Sequence, residues 1–218
     1  FSASPYRLGQ GMITDGDEAL FKEIIEPVTI NELIYHEHLV PLRSKLTSHR
    51  LDAQGLHKRA GDYIASEMEQ RFNTDDHNTQ IAAEIATLAH DRKHWLIFCS
   101  GVAHAEAFSN SLNNIGITSH WLTANDPPLV RDEKLKDFET GKVRAMCNVG
   151  ILTTGYDFPA LDCIAFLRAT QSPGLYLQCA VRGMRPHPDK KDCLVLDFAG
   201  VVQTHGPITG VNAPEAQG

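Results

Sequence analysis

From Leu88 onward, short apolar runs alternate with amphipathic stretches, and this alternation restricts the fold more than any other feature of the chain. "HWLIFCS" (His94–Ser100) is continuously apolar rather than alternating, as expected of a strand buried on both faces. In "VAHAEAFSNSLNNIG" that follows, Val102, Ala105, Phe108 and Leu112 fall at helical spacing, and Gly116 stands where a helix-ending glycine belongs. Strand-like runs return at 117–123, 143–152, 163–168 and 192–200. Between them, Asp126-Pro127 opens a charged helix with Leu135 and Phe138 inward and Gly141 as its stop. "PGLYLQCAVRGM" reads as another helix. Repeated strand–helix units predict an α/β domain with a mostly parallel sheet and helices on both faces. Its functional groups are expected at the carboxyl ends of the strands, in the loops after Cys99, Thr123, Asn148, Arg168 and Asp197.

The front of the chain is built differently. Short helical patterns punctuated by Pro27 and Pro41 precede a strand candidate. "HKRAGDYIASEMEQRFN" and "DDHNTQIAAEIATLAHD" read as two amphipathic helices, the second capped by Thr74 or Asp75 and striped by Ile81, Ile85 and Leu88. After Gly206 the chain is rich in Pro, Gly and Ala and is expected to fray.

Composition narrows the function classes. With 20 basic and 27 acidic residues, the formal net charge of −7 excludes a protein that coats nucleic acid by bulk charge. Any such contact must be a local surface. The five cysteines are widely spaced with no CxxC pair, which fits small core residues in a reducing compartment. No stretch approaches the roughly 20 apolar residues of a membrane span, and no signal peptide opens the chain, so a cytoplasmic location is expected. "FSASPYRL" lacks an initiator Met and reads as the middle of something longer. No metal site is expected: "HEH" (His36–His38) would need a second His at 40, which is Val40. No GxxxxGK[ST] phosphate-binding loop and no Asp-Glu box after an apolar strand are found, so the chain cannot assemble the usual magnesium-nucleotide cradle by itself.

Two stretches carry polar chemistry. "ILTTGYDFPALD" (Ile151–Asp162) follows a strand candidate. Thr153, Thr154 and Gly155 offer hydroxyls and amides to phosphate oxygens, and Asp157 could accept from a sugar hydroxyl or hold an Asx turn. A plain connection between strands would explain Gly155 and Pro159 equally well. "YLQCAVRGMRP" (Tyr176–Pro186) sets Arg182 and Arg185 three residues apart, close to one helical turn, with Gln178 one turn earlier. Paired guanidiniums suit bidentate recognition of phosphate. The alternative is a solvated helix end complementing its dipole. Gly183, allowing close approach between the arginines, and Pro186, stopping the helix, favour the anion.

"LIFCSG", "NVGILTTGYDFP" and "QCAVRGMRP", in this order, resemble motifs IV, V and VI of superfamily two helicases and translocases. The last motif of that family, QxxGRGxR, is matched by Gln178, Arg182, Gly183 and Arg185, with Val181 replacing a glycine. Ser2-Ala3-Ser4-Pro5 resembles the motif III region. "LTTGYDFP", "LYLQCAVRGMR" and "DCLVLDFAG" are most similar to the RadD-type branch of bacterial DNA-repair helicases, related to XPB and type III restriction translocases. The resemblance implies a RecA-like second lobe over 41–206. Residues 1–40 would be the end of the first lobe and a connector, and 207–218 a flexible tail. It implies ATP with Mg²⁺ held mainly by an upstream RecA-like lobe, and DNA, single-stranded or at a duplex junction, as partner. Arg182 and Arg185 would be arginine fingers and Gln178 a nucleotide-positioning residue. Gly155 and Asp157 would link the ATP cleft to the strand, Thr153 and Thr154 would contact nucleic-acid phosphates, and Ser100 and Gly101 would make backbone contact. This segment alone is then expected to hydrolyse no ATP. The competing expectation is a nucleic-acid-binding or scaffold module that kept the fold and lost the chemistry.

Overall fold

Each of the five apolar runs becomes a strand, trimmed at its ends, and a sixth strand joins from upstream. In the computed structural model, which describes residues 6–7, 11–12, 28–152 and 156–210, these are β1 (Leu42–Lys45), β2 (Trp95–Cys99), β3 (Ser119–Leu122), β4 (Ala145–Asn148), β5 (Cys163–Leu167) and β6 (Cys193–Asp197). They form one all-parallel sheet in the order β1-β6-β5-β2-β4-β3. Every residue of β2, β4 and β5 is buried, which is why these stretches read as unbroken apolar runs. Phe98 stacks on Phe166 across neighbouring strands, with ring centroids 5.6 Å apart. β1 is an edge strand and mostly exposed; Arg43 and Lys45 there blunt an edge that could otherwise pair with another chain.

The helices are α1 (Ile30–Tyr35), α2 (Ala65–Phe72), α3 (Asp75–Leu88), α4 (Val102–Asn114), α5 (Pro128–Glu139), α6 (Pro173–Ala180) and α7 (Val201–His205). α4 carries the chain from β2 towards β3 at one end of the sheet, and α6 carries it from β5 to β6 in the opposite direction. Right-handed crossovers in opposite directions put the two helices on opposite faces. The direction reverses between β2 and β5, so a crevice is expected at their carboxyl ends.

Local chemistry explains most boundaries. Thr74, not Asp75, caps α3 by accepting from the His77 amide. Gly116 and Gly141 take φ of +83° and +74° behind α4 and α5, as helix-ending glycines do. Two expectations need correction. The helix expected over "HKRAGDYIASEMEQRFN" begins only at Ala65, because Ala60 and Gly61 take φ of 51° and 82° and turn Lys58–Arg59 back onto Asp62–Tyr63. The Asp62 carboxylate then accepts from Thr170 Oγ1 (2.7 Å) and the Gln171 amide (2.8 Å), fastening this hairpin beyond the end of β5. Nor does the chain fray directly after Gly206: Ile208 is buried in the core within a short 3₁₀ turn, Ile208–Gly210.

Candidate nucleotide-phosphate site

Ser172 opens α6 by accepting from the Leu175 amide (3.1 Å), with Pro173 in the first turn. The helix ends at Ala180, and a tighter 3₁₀ turn, Val181–Met184, carries the chain to Arg185. Gly183 is the reason the turn can lie where it does. A β-carbon there would come within 2.4 Å of Cys193 Sγ and 2.9 Å of Cys193 Cβ, so only glycine lets this turn press onto β6. The close approach expected between the arginines is thus made by the fold itself. Val181 packs, half-buried, against the same core. Arg185 is extended, at φ −67° and ψ 134°, as a residue before proline prefers.

Residues three apart nearly eclipse in a 3₁₀ turn, and the two guanidiniums reach one short segment. Arg182 Nη1 donates to the Tyr156 carbonyl, and Arg185 Nη1 pairs with the Asp157 carboxylate. That pair is open to solvent, with the Arg185 side chain 37% and that of Asp157 69% exposed. Arg182 is half-buried, and burial pulls its guanidinium below the usual arginine value; an arginine so placed still stays charged. Gln178 lies half-buried in α6, one turn ahead. The structure therefore brings Arg182, Arg185 and Asp157 together. Thr153, Thr154 and Gly155 lie outside the described residues.

Lys190 was missed in the sequence. It is buried, and its Nζ donates to the carbonyls of Pro159 (2.6 Å), Leu161 (2.8 Å) and Gly183 (3.1 Å). In "HPDKKDC" it is one polar residue in a polar run, indistinguishable by pattern from a solvated loop lysine.

Ser100 and Gly101 occupy the crevice end of β2 but face inward. Both are buried, and the Ser100 amide and hydroxyl lie 3.3 and 2.7 Å from His104 Nδ1. With the amide donating, Nδ1 is the acceptor and Nε2 carries the proton, buried without a hydrogen-bond partner among the described residues. Burial, with His77 adding to it, pulls His104 down to about 4. The Glu69 carboxylate accepts from the His104 amide (2.9 Å) in the first turn of α4. A phosphate would seek the same place. Of the residues expected to make backbone contact, Ser100 is engaged inside the fold with His104, and the helix that follows Gly101 is already capped by a carboxylate.

The donors present suit phosphate, since two guanidiniums converge and one is paired with an exposed carboxylate it can exchange. Among the described residues, no group of three or more His, Cys, Asp or Glu could hold a metal ion. The described helices include none long and apolar enough to cross a membrane.

Comparison with known proteins supplies the family and the fold. The profile of the helicase conserved C-terminal domain matches residues 76–187, just over half of the chain. A Saccharomyces cerevisiae protein named as the ATP-dependent helicase IRC3 is 27% identical over 187 residues, 79% of this chain and 27% of that relative. A Schizosaccharomyces pombe protein, named as the mitochondrial ATP-dependent helicase irc3, is 27% identical over 177 residues, 78% of this chain and 29% of its own length. The chain thus spans under a third of the length of these two relatives. Among solved structures, a Vibrio vulnificus fragment named as an HsdR subunit of a type I restriction enzyme superposes with a TM-score of 0.62 at 19% identity, covering 80% of this chain and 35% of that one. The C-terminal domain of the DEAD-box protein Dbp5 gives 0.51 at 15%, covering 61% of this chain and 81% of that domain. These two likenesses concern the fold, a helicase C-terminal RecA-like domain.

Proposed function

Because the chain belongs to the helicase conserved C-terminal domain family, we propose that it is the second motor lobe of an ATP-dependent DNA helicase or translocase and supplies Arg182 and Arg185 to the phosphates of ATP. The observation that carries this reading is the convergence of both guanidiniums on residues 156 and 157, where Asp157 holds Arg185 in an exposed, exchangeable pair. Another RecA-like lobe would hold most of the nucleotide and its magnesium, and that bound ATP supplies the phosphoryl group to be transferred. Arg182 and Arg185 put fixed positive charge where negative charge grows in the transition state. Arg182, half-buried, is held against the Tyr156 carbonyl, and Arg185 is free to leave Asp157 for a more highly charged phosphate oxygen. Gln178, one turn ahead, orients the nucleotide.

Thr153 and Thr154 receive backbone phosphates of single-stranded DNA or of a strand at a junction, with Gly155 and Asp157 connecting that contact to the nucleotide side. The motif residues, not the fold neighbours, place the chain in our reading near the RadD-type branch. Val181, where that branch has glycine, packs against the core while both arginines still converge, which favours the motor over a scaffold that lost its chemistry. Turnover of ATP by the protein carrying both lobes tests this. Arg182→Ala and Arg185→Ala should abolish most of it without unfolding the lobe, whereas unchanged turnover would leave the scaffold standing.

A further inference from the structure

A lysine ammonium has three N–H donors and no acceptor. Lys190 spends all three on backbone carbonyls, at 2.6 Å to Pro159, 2.8 Å to Leu161 and 3.1 Å to Gly183. Two of these acceptors belong to the segment that continues from Tyr156 and Asp157, the residues that receive the guanidiniums. The third lies between Arg182 and Arg185. One buried cation therefore spans the gap between the turn that bears the arginines and the segment that holds them.

We propose that Lys190 is a positioning residue that fixes the arginine turn against residues 156–161 and so sets where Arg182 and Arg185 meet the nucleotide. The proposal rests on the reading that these arginines act on phosphate. A purely structural lysine would explain the burial but not the choice of acceptors. The His187–Lys190 turn is already closed by backbone, with the Lys190 amide donating to the His187 carbonyl at 2.9 Å. Burying the ammonium opposes its charge: desolvation pulls Lys190 below the ordinary lysine value, with Cys193 and Asp162 drawing it partly back. An apolar side chain would fill the same space without that cost. What it could not do is hold three carbonyls of two segments at fixed separation.

The distance matters because charge stabilisation in phosphoryl transfer is mostly a matter of placement, and a displacement of about 1 Å can cost on the order of 10²-fold in rate. In the full-length protein, Lys190→Met should lower kcat for ATP hydrolysis by roughly 10²-fold while KM for ATP stays near that of the parent. Lys190→Gln, shorter and with two donors, should fall between. The readout that separates positioning from simple support is affinity for ADP with aluminium fluoride, a mimic of the transferring phosphoryl group, set against affinity for ADP alone. Both Lys190 variants should weaken the first and leave the second unchanged, the pattern also expected of Arg182→Ala and Arg185→Ala. Equal loss of both affinities, no loss of either, or failure of both variants to fold would overturn the proposal. Arginine variants that keep turnover and the aluminium-fluoride complex would instead overturn the reading of the phosphate site.

Discussion

Two strand ends on the same edge of the sheet have been finished in opposite ways. Beyond β2, Ser100, His104 and Glu69 form a closed set: hydroxyl and amide to imidazole, carboxylate to the first turn of α4, everything buried or half-buried. Beyond β4, the segment at Tyr156 and Asp157 is met by two guanidiniums that reach it from another element, and one of those pairs is open to water. Both arrangements satisfy polar groups. Only the second does so with partners that an incoming anion can replace at little cost, because a surface ion pair is worth only about 0–1 kcal/mol. A helix N-terminus already capped by a carboxylate from α2 has no such opening. In our reading, exchangeable charge rather than position at a strand end is what makes a phosphate site.

The comparison breaks first if the two ends respond alike to substitution. If they act as proposed, Arg182→Ala or Arg185→Ala should lower ATP turnover by roughly 10³–10⁵-fold, the worth of an arginine finger in well-characterised phosphoryl-transfer enzymes. Lys should rescue poorly, because a point charge lacks the bidentate fork. Glu69→Gln should do the reverse, leaving turnover nearly intact and lowering stability by about 1 kcal/mol through the weakened cap. Steady-state turnover and denaturant midpoints of the three variants decide the matter. Turnover losses of similar size at both ends would erase the distinction.

The closed end was the harder one to read in the sequence. Continuous apolar runs announce β2, β4 and β5 because parallel strands are covered on both faces, and the order of motifs marks the arginines. Contacts between distant segments leave no such trace. Glu69 and His104 meet across 35 residues, and Lys190 reaches back 29 and 31 residues to Leu161 and Pro159. Each looks, in its own stretch, like a solvated polar residue. The hairpin at Lys58–Tyr63 was lost for a related reason: a helical pattern of apolar residues continues through it, and only the positive φ of Ala60 and Gly61 turns the chain. At Gly183 the close approach expected from the motif is made by Cys193 of β6, a partner that the motif does not name.

The neutral imidazole at the closed end sharpens the comparison through pH. His104 is pulled down to about 4 by burial, against about 6.5 in an unfolded chain, so between those values the unfolded state binds more protons. Its contribution is complete above pH 6.5 and is lost as pH falls towards 4, amounting to about 3 kcal/mol over the window at 1.36 kcal/mol per pH unit. His94, also lowered by burial, acts with the same sign. Unfolding midpoints between pH 7.5 and 4.5 should fall steeply for the parent and more gently for His104→Gln. Parallel curves would mean that the imidazole is not held neutral.

Gly183→Ala tests whether the open end depends on its seat. The added methyl would have to displace Cys193 Sγ, which lies 2.4 Å from its position, and overpacking of this kind costs about 1–3 kcal/mol. Cys193 lies in β6, so the strain has little room to relax except by lifting the arginine turn. Thermal unfolding should report the lost stability, and turnover should fall further than the unfolded fraction explains. Gly183→Ala paired with Cys193→Ala, which removes the obstructing sulfur, should recover part of both. No recovery would show that the glycine serves something other than this contact.

The smallest expected effect concerns the strand of nucleic acid. If the open end carries the exchangeable charge and the closed end none, backbone phosphates are met by Thr153 and Thr154 rather than by Ser100. Neutral donors to phosphate position a strand without reading its sequence, and each such hydrogen bond contributes about 0.5–1.5 kcal/mol. Thr153→Ala with Thr154→Ala should therefore weaken binding of a labelled single-stranded oligonucleotide roughly 5- to 100-fold, with similar effects on unrelated sequences. The slope of affinity against salt should stay unchanged, because counterion release follows the cations that neutralise phosphates and not the hydroxyls. Ser100→Ala should leave affinity alone, its hydroxyl being turned to His104. Fluorescence anisotropy over a salt series measures all three. A loss on Ser100→Ala equal to that of the threonine pair would place the strand at the crevice end of β2 and reverse the assignment of the two ends.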